Sequence, residues 1–327
     1  MQALTTINND LDFIGRQLSQ LGTKEDFDLN SALKQLAEVN NGELRSAVDL
    51  LQNSLQGNSL LPGSVLGTLV EFFTVAKPPA DKAGEVIHLF YKIQRRLYDD
   101  VKAYLFSLRN TFTYLSILLA FTVSIYLINL YKVLPTYADN FNDYGAPLPS
   151  FTLFMMGPGK AIIWIVFFIV ATLLYCAFWG AVKVNQHIRE LKIIPVKPLW
   201  AWIARDMLLA INSNITLIYL YIGLRAGNDF DTAKKLTVDL IKRSTNTDNL
   251  RNYLDGDLHN KLTICADLQT CQGEIDYQLQ IAAEKLIGQV VTFRTLLNIS
   301  LHILMVLVIG AMVVSFYLPI FQLGQVV

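Results

Sequence analysis

Apolar residues recur every three or four positions through the first part of the chain, which predicts a series of short amphipathic helices. They run from about Leu11 to Leu21, Ser31 to Val39, Leu44 to Leu55 and Val65 to Val75, and Gly or Pro follows each of them. From Asp81 the same spacing continues into an uncharged stretch and meets no proline before Pro135. One long helix is therefore predicted to join the amphipathic region to an apolar span.

Three uncharged stretches have the length of a membrane span, because about 20 apolar residues in a helix cross a bilayer. They lie at about 112–130, 161–182 and 297–317. Residues 207–224 are also uncharged, but Asn212, Ser213 and Asn214 in their middle are costly in lipid. We therefore expect a buried helical hairpin there and three membrane spans in total.

The chain shows signs of an internal duplication. A shift of 189 positions places Phe13-Ile14-Gly15-Arg16 on Trp202-Ile203-Ala204-Arg205, and Gly84-Glu85-Val86 on Gly273-Glu274-Ile275. The first and third spans are each followed by a Leu-Pro pair, at Pro135 and Pro319, where we expect each helix to end because proline has no N–H. Matching structural roles near the start of each bundle's first helix are expected for Arg16 and Arg205, because the offset that pairs them also pairs Gly84 with Gly273.

These patterns predict an all-α membrane protein with two duplicated cytosolic bundles, each ending in a long helix that enters the membrane. The first bundle is expected at 1–110 and a transmembrane hairpin with a periplasmic loop (132–160) at 111–183. The second bundle follows at 184–296, with helices near 231–242, 247–254 and 258–268 and a long helix from Glu274. The third span and a periplasmic C-terminus occupy 297–327.

The distribution of basic residues predicts the orientation in the membrane. Those beside the first span are Lys92, Arg95, Arg96, Lys102 and Arg109, and those after the second are Lys183, Arg189, Lys192 and Lys197. The loop between these spans has two lysines, both at its edges. Both bundles are thus expected in the cytoplasm. The first residues show no basic segment followed by an apolar one, so we expect internal spans to direct insertion.

Composition and motifs favour a membrane protein without enzymatic chemistry. Hydrophobic residues make up 53% of the 327 residues, mean hydropathy is +0.37 and formal net charge is zero, so we do not expect a nucleic-acid partner. GPGK at Gly157–Lys160 lacks the spacing and hydroxyl of a phosphate-binding loop, and HExxH and GxSxG motifs are absent. The three cysteines lack CxxC spacing, and we expect all three to be reduced packing residues.

Two groups of charged residues are candidate binding sites. Asp81 and Glu85 are four residues apart on one helix face and could give oxygen ligands to calcium, although a solvated acidic face is the alternative. Lys92, Arg95 and Arg96 could contact anionic lipid headgroups or an acidic partner surface. A solvated helix face is equally compatible with these three residues. No other cofactor is expected.

The two bundles, the three spans and the ending YLPIFQLG resemble the type II secretion F-domain family, from about Leu11 to Val327. That family includes inner-membrane platform proteins of type IV pili and type II secretion systems. The family signature GExxG appears here as ADKAG at Ala80–Gly84 and as QTCQG at Gln269–Gly273, so an acid remains only at Asp81.

The resemblance implies a non-enzymatic platform in the bacterial inner membrane that forms a homo-oligomer. It would couple a cytosolic assembly ATPase to the extraction of prepilins or pseudopilins, together with other inner-membrane components. Family members usually carry a further cytosolic segment before the first bundle, which is linked to the ATPase. Because the bundle begins here within about ten residues, docking on the bundles themselves is expected, and the short chain favours a type IVb pilus. A small polytopic transporter or channel is the alternative.

Overall fold

The computed structural model describes residues 2–23, 27–39, 42–56, 65–195, 204–245, 254, 256–267 and 270–326. Within these ranges the chain is helical and contains no β-strand. The helices are α1 (Gln2–Leu21), α2 (Leu29–Val39), α3 (Glu43–Leu55), α4 (Val65–Ala76), α5 (Ala80–Ile128), a π-helical segment (Asn129–Val133), α6 (Leu134–Asp143), α7 (Ser150–Met156), α8 (Pro158–Glu190), α9 (Arg205–Arg225), α10 (Phe230–Thr245), α11 (Gly256–Asp267) and α12 (Cys271–Val326).

Most helices occur where the apolar spacing predicts them, and the largest differences are at boundaries. Helix α1 begins at Gln2, nine residues before the predicted start at Leu11. The predicted hairpin at 207–224 is wrong, because α9 is a single helix with no turn within it. The loop predicted at 132–160 is mostly helical, since α6 and α7 lie within it. The helix predicted at 247–254 falls almost entirely outside the described residues.

Contacts divide the chain into two compact units. The bundle unit comprises Met1–Tyr104 and Lys183–Val290, and the span unit comprises Leu105–Val182 and Val291–Val327. Residues of both predicted bundles therefore belong to one unit. Helices α5, α8 and α12 each contribute residues to both units without a break in the helix.

Four helices are long and apolar enough to cross a membrane: those containing α5, α8, α9 and α12. They differ in burial. Within the most apolar window of α9, 89% of the residues are buried, whereas the corresponding share in the other three is 22–24%. The protein itself therefore surrounds α9, while the apolar surfaces of the other three are largely uncovered.

The order of helices repeats partly in the bundle unit. Helices α10, α11 and α12 begin 187, 191 and 191 residues after α3, α4 and α5, close to the 189-residue shift seen in the sequence. The earlier part does not repeat in the same way. The single helix α9 stands where the shift would place the end of α1 and most of α2.

Neither Leu-Pro pair ends a helix, so this prediction is wrong at both positions. Pro135 is the second residue of α6, directly after the π-helical segment, in which the Leu134 N–H donates to the Asn129 carbonyl. A π-turn of this kind allows the backbone to rearrange around an unpaired carbonyl. Pro319 lies inside α12 and leaves the Ser315 carbonyl without its usual partner. The buried Thr152 hydroxyl of α7 donates to that carbonyl over 3.5 Å.

The span unit has two apolar clusters in its interior. One contains Tyr126, Leu130, Leu134, Met155, Ile163, Phe167 and Met312, and the other contains Leu108, Phe112, Leu115, Val170, Leu174 and Leu301. Large apolar side chains such as Phe121, Phe168 and Leu307 remain at least 65% exposed. Exposed apolar side chains of this kind are compatible with a membrane environment.

Candidate functional site: a basic cleft and a buried helix end

A cleft of about 150 Å³ lies in the bundle unit, between α5, α9 and α12. Its apolar lining consists of Leu89, Ile93, Leu97, Ile218, Tyr221, Leu279 and Ala283. Its polar lining consists of Lys92, Arg96, Asn214, Asp276 and Gln280. We call this feature the basic cleft. It brings the first half of the chain, through α5, against the second half.

The helical repeat places two of the predicted basic residues in this cleft. On α5, Lys92 and Arg96 are four residues apart and therefore on one face. Both side chains are exposed, and neither forms an ion pair with another described residue. Arg95 is outside the lining and lies 3.7 Å from Asp99, a pair with both side chains more than half exposed. The cleft thus has two basic side chains and one acidic side chain, Asp276, beside its apolar lining.

Helix α9 forms one wall of the cleft and owes its place in the interior to hydrogen-bonded amides. The Asn214 side-chain amide donates to the Ala210 carbonyl over 2.9 Å and to the Ala282 carbonyl of α12 over 2.8 Å. The residue is 2% exposed. Since both of its N–H groups are satisfied inside the protein, Asn214 is far less costly here than it would be in lipid.

The end of α8 is buried in the bundle unit, and side chains from both halves of the chain bind its carbonyls. Glu190 O accepts from the Thr68 hydroxyl over 2.6 Å, and Arg189 O accepts from Gln94 over 3.1 Å. Leu191 O accepts from the Tyr219 hydroxyl. The last carbonyls of a helix have no partner within it, so these bonds replace the missing ones. We call this arrangement the α8 cap.

The chain beyond α8 is fixed in the same way. The Asn212 side chain accepts from the Ile194 N–H over 2.9 Å and donates to the Ile194 carbonyl over 3.0 Å. Leu191 has a φ of 52°, the left-handed conformation in which glycine is usual at a helix end. Its side chain is fully buried, so packing offsets the backbone strain. The sequence indicates that Asn212 is costly in lipid, but it does not reveal that the Ile194 backbone is the hydrogen-bond partner of this side chain.

Two ionisable side chains, His187 and Arg189, lie near the α8 cap and are partly enclosed by the protein. Burial lowers the pKa of His187 below its ordinary 6.5, with nearby Glu190 opposing the shift. Its Nδ1 atom is buried and has no hydrogen-bond partner within the described part of the chain. The Arg189 guanidinium lies over the Tyr98 ring and donates to the Tyr98 hydroxyl. These contacts join the end of α8 to α5.

Asp81 and Glu85, the predicted calcium ligands, are not joined by a third His, Cys, Asp or Glu side chain in the residues that the structure covers. Asp81 is exposed, and Glu85 lies 3.6 Å from Lys82 in an ion pair. Across the described ranges, no three His, Cys, Asp or Glu side chains are arranged to hold a metal ion. Two carboxylates alone supply too few of the six to eight oxygen ligands that calcium takes.

The two predicted glycine equivalents have different surroundings. A Cβ atom on Gly84 would lie 2.3 Å from backbone atoms of Leu18 and Ser19. A Cβ atom on Gly15 would lie 2.6 Å from the backbone nitrogen of His88. Helices α1 and α5 therefore cross with their backbones in contact. A Cβ on Gly273 would meet nothing within 4 Å. The two glycines that the repeat aligns therefore have different surroundings.

The two arginines of the repeat also occupy different positions. Arg16 is in the second half of α1 and lies 3.8 Å from Asp12, which in turn lies 2.9 Å from His88 of α5. Arg205 is exposed and is the first residue of α9. Arg205 is therefore at the start of α9, whereas Arg16 is far from the start of α1.

Comparison with known proteins gives no relative from which a role could be transferred. The chain matches no known family model, no curated protein and no solved structure.

Proposed function

We propose that this chain is a non-enzymatic platform of the bacterial inner membrane. It would serve the assembly of a type IV pilus, with type IVb favoured, or of a type II secretion pseudopilus. Its task would be to couple a cytosolic assembly ATPase to the extraction of prepilins or pseudopilins. The resemblance of the spans, bundles and YLPIFQLG ending to the F-domain family motivates this proposal.

The observation that best supports it is the continuity of α5 and α12. Each helix begins with charged turns in the bundle unit and continues into uncharged turns of the span unit. A helix resists bending because successive turns are joined by backbone hydrogen bonds. A movement imposed on the bundle would therefore reach the membrane segment directly.

We further propose three spans, formed by α5, α8 and α12, with α9 as the centre of the cytosolic bundle. The burial of α9 and the bonded amides of Asn212 and Asn214 support this count. The charge distribution favours a cytoplasmic N-terminus and a periplasmic C-terminus.

The basic cleft is the proposed contact for the ATPase. Its lining carries two basic side chains, Lys92 and Arg96, against one acidic side chain, Asp276, and this net positive charge beside apolar residues suits an acidic segment with apolar side chains. Substitution of Lys92 and Arg96 by Glu should strongly reduce co-purification of the ATPase and abolish filaments or secretion. Arg95→Glu is the control for Arg96→Glu made alone, because both replace one basic residue by an acidic one on neighbouring positions and only Arg96 lines the cleft.

Comparison of these variants distinguishes docking of the ATPase in the cleft from a general effect of surface charge on binding. Equal loss of binding in Arg95→Glu and in Arg96→Glu would contradict a role for the cleft. Unchanged filaments after deletion of the whole gene from its bacterium would contradict the platform function itself.

A small transporter or channel is the second candidate, and one observation favours it. Within the span unit, Asn129 and Tyr126 are 1% exposed, and the Asn129 Oδ1 and Tyr126 hydroxyl have no hydrogen-bond partner among the described residues. Buried polar groups at membrane depth often mark a transport path. Solute flux through proteoliposomes of the pure protein that is lost in Asn129→Leu would favour transport over assembly.

A further inference from the structure

Two of the three cysteines lie against each other between α11 and α12. Cys265 is in the last turn of α11, and Cys271 is the first residue of α12. Their Sγ atoms are 2.7 Å apart. That separation is only about 0.7 Å more than the S–S length of a disulfide bond. Cys176 of α8 has no neighbouring thiol in the described part of the protein.

The backbone holds the two thiols in this position. The Thr270 N–H donates to the Cys265 carbonyl over 3.0 Å, which holds the residue before α12 against the last turn of α11. The Cys265 thiol also lies 3.2 Å from the Leu262 carbonyl. Both residues are buried, with 4% and 6% of their surface exposed. Bond formation would therefore need a small movement of two side chains, and the burial disfavours cross-links between separate molecules.

We propose that Cys265 and Cys271 form a reversible intramolecular disulfide, which makes this turn a site of oxidative modification. Hydrogen peroxide is a sufficient oxidant. The two S–H bonds and the O–O bond break, one S–S bond forms, and the two hydrogens leave with the oxygens as two water molecules. The protein loses two electrons, and a dithiol reductant reverses the reaction.

The surroundings of Cys265 predict how fast this reaction runs. Burial and the hydrogen bond with Cys271 raise the pKa of the Cys265 thiol to about 12. The thiolate is the reactive form of cysteine, so oxidation should be slow near neutral pH and faster in alkaline buffer. In a reducing cytosol both thiols should remain reduced until peroxide accumulates.

The bond would join the end of α11 to the first residue of α12. Under the function proposed above, it would restrict movement of the helix that continues into the membrane. This effect on assembly rests on the proposed function, whereas the thiol chemistry does not.

Mass spectrometry of the full-length protein in detergent tests the chemistry. The Cys176→Ser variant retains only the pair; it is treated with hydrogen peroxide, denatured, alkylated with N-ethylmaleimide and weighed intact. We expect a monomer that has lost two hydrogens and carries no maleimide, and dithiothreitol should restore two alkylated thiols. Cys265→Ser and Cys271→Ser on the same background should each retain one alkylated thiol.

Three results would overturn the proposal: two alkylated thiols after peroxide, added oxygen atoms without loss of hydrogen, or disulfide-linked dimers as the main product. The same treatment of the wild-type protein should give a monomer that has lost two hydrogens and carries one maleimide, at Cys176, so the outcome does not depend on a variant that fails to fold. The filament assay described above remains a separate test. Disulfide formation in a protein whose gene is dispensable for filaments would uphold the thiol site and reject the platform.

Discussion

A missing methyl group at Gly84 allows α1 and α5 to approach until their backbones touch. At this crossing, a Cβ would lie 2.3 Å from the Leu18 carbonyl carbon, and the backbone cannot move aside as a flexible side chain could. Gly273 was paired with Gly84 by the sequence repeat but has open space around it. The two residues therefore form a matched pair for experiment.

Gly84→Ala should destabilise the protein by about 1–3 kcal/mol, the usual cost of overpacking. Gly273→Ala should be neutral or stabilise it by up to about 1 kcal/mol, because alanine favours the helix more than glycine does. Thermal unfolding of both variants in detergent, followed by circular dichroism, measures the difference. Similar midpoints for the two variants would show that α1 does not contact α5 at Gly84.

His187 should give the protein a pH-dependent stability. Burial lowers its pKa below 6.5, so the folded state binds its proton less readily than the unfolded state. Stability should consequently fall as the pH drops below 6.5 toward the lowered value. We expect His187→Gln, which cannot be protonated, to lose less thermal stability between about pH 7.5 and about pH 5.5. An equal loss in both proteins would assign the dependence to other groups.

At the scale of elements, the apolar spacing was sufficient for most helices because burial of one face is what stabilises them. It also predicted that α5 would join charged and uncharged turns. The two prolines were misread for a physical reason. A proline removes one N–H, and the helix can continue when another group serves the freed carbonyl, as Thr152 does for Ser315. The donor is 163 residues away in the sequence, so no local pattern reveals it.

A break in α5 tests whether the helix transmits movement. Leu105→Pro removes a backbone hydrogen bond and clashes with the preceding turn, at a local cost of about 3 kcal/mol or more. We expect normal protein level and normal ATPase binding but no filaments or secretion. Ala80→Pro is the control, because the first residue of α5 tolerates proline. Normal filament assembly in Leu105→Pro would contradict mechanical coupling through this helix.

At the scale of the whole molecule, the sequence predicted the basic residues but not the cleft. Lys92 and Arg96 share a helix face by their spacing, whereas Asp276 and Ile218 join them in the lining of one cleft only through tertiary packing. The α8 cap could not be predicted from the sequence for the same reason. Thr68, Gln94 and Tyr219 look like ordinary polar residues until the carbonyls that they bind are known.

Topology reporters test the arrangement of the whole chain. Fusions after Asn142 and Val327 should report the periplasm, and fusions after Asn58 and Thr245 should report the cytoplasm, because basic residues flank the cytoplasmic ends of the spans. The fusion after Asn142 also serves as the internal standard for a periplasmic signal. A cytoplasmic signal after Val327 would mean that α9 crosses the membrane.

The α8 cap has a consequence for how the protein bears tension. Its side chains bind carbonyls of successive residues at one helix end, so a pull along α8 would stretch several hydrogen bonds at once instead of opening them one after another. Bonds loaded in parallel share the force, and rupture requires that they fail together. In single-molecule pulling on α8, the bundle should therefore yield in one abrupt step, at a force that Thr68→Ala and Gln94→Ala lower.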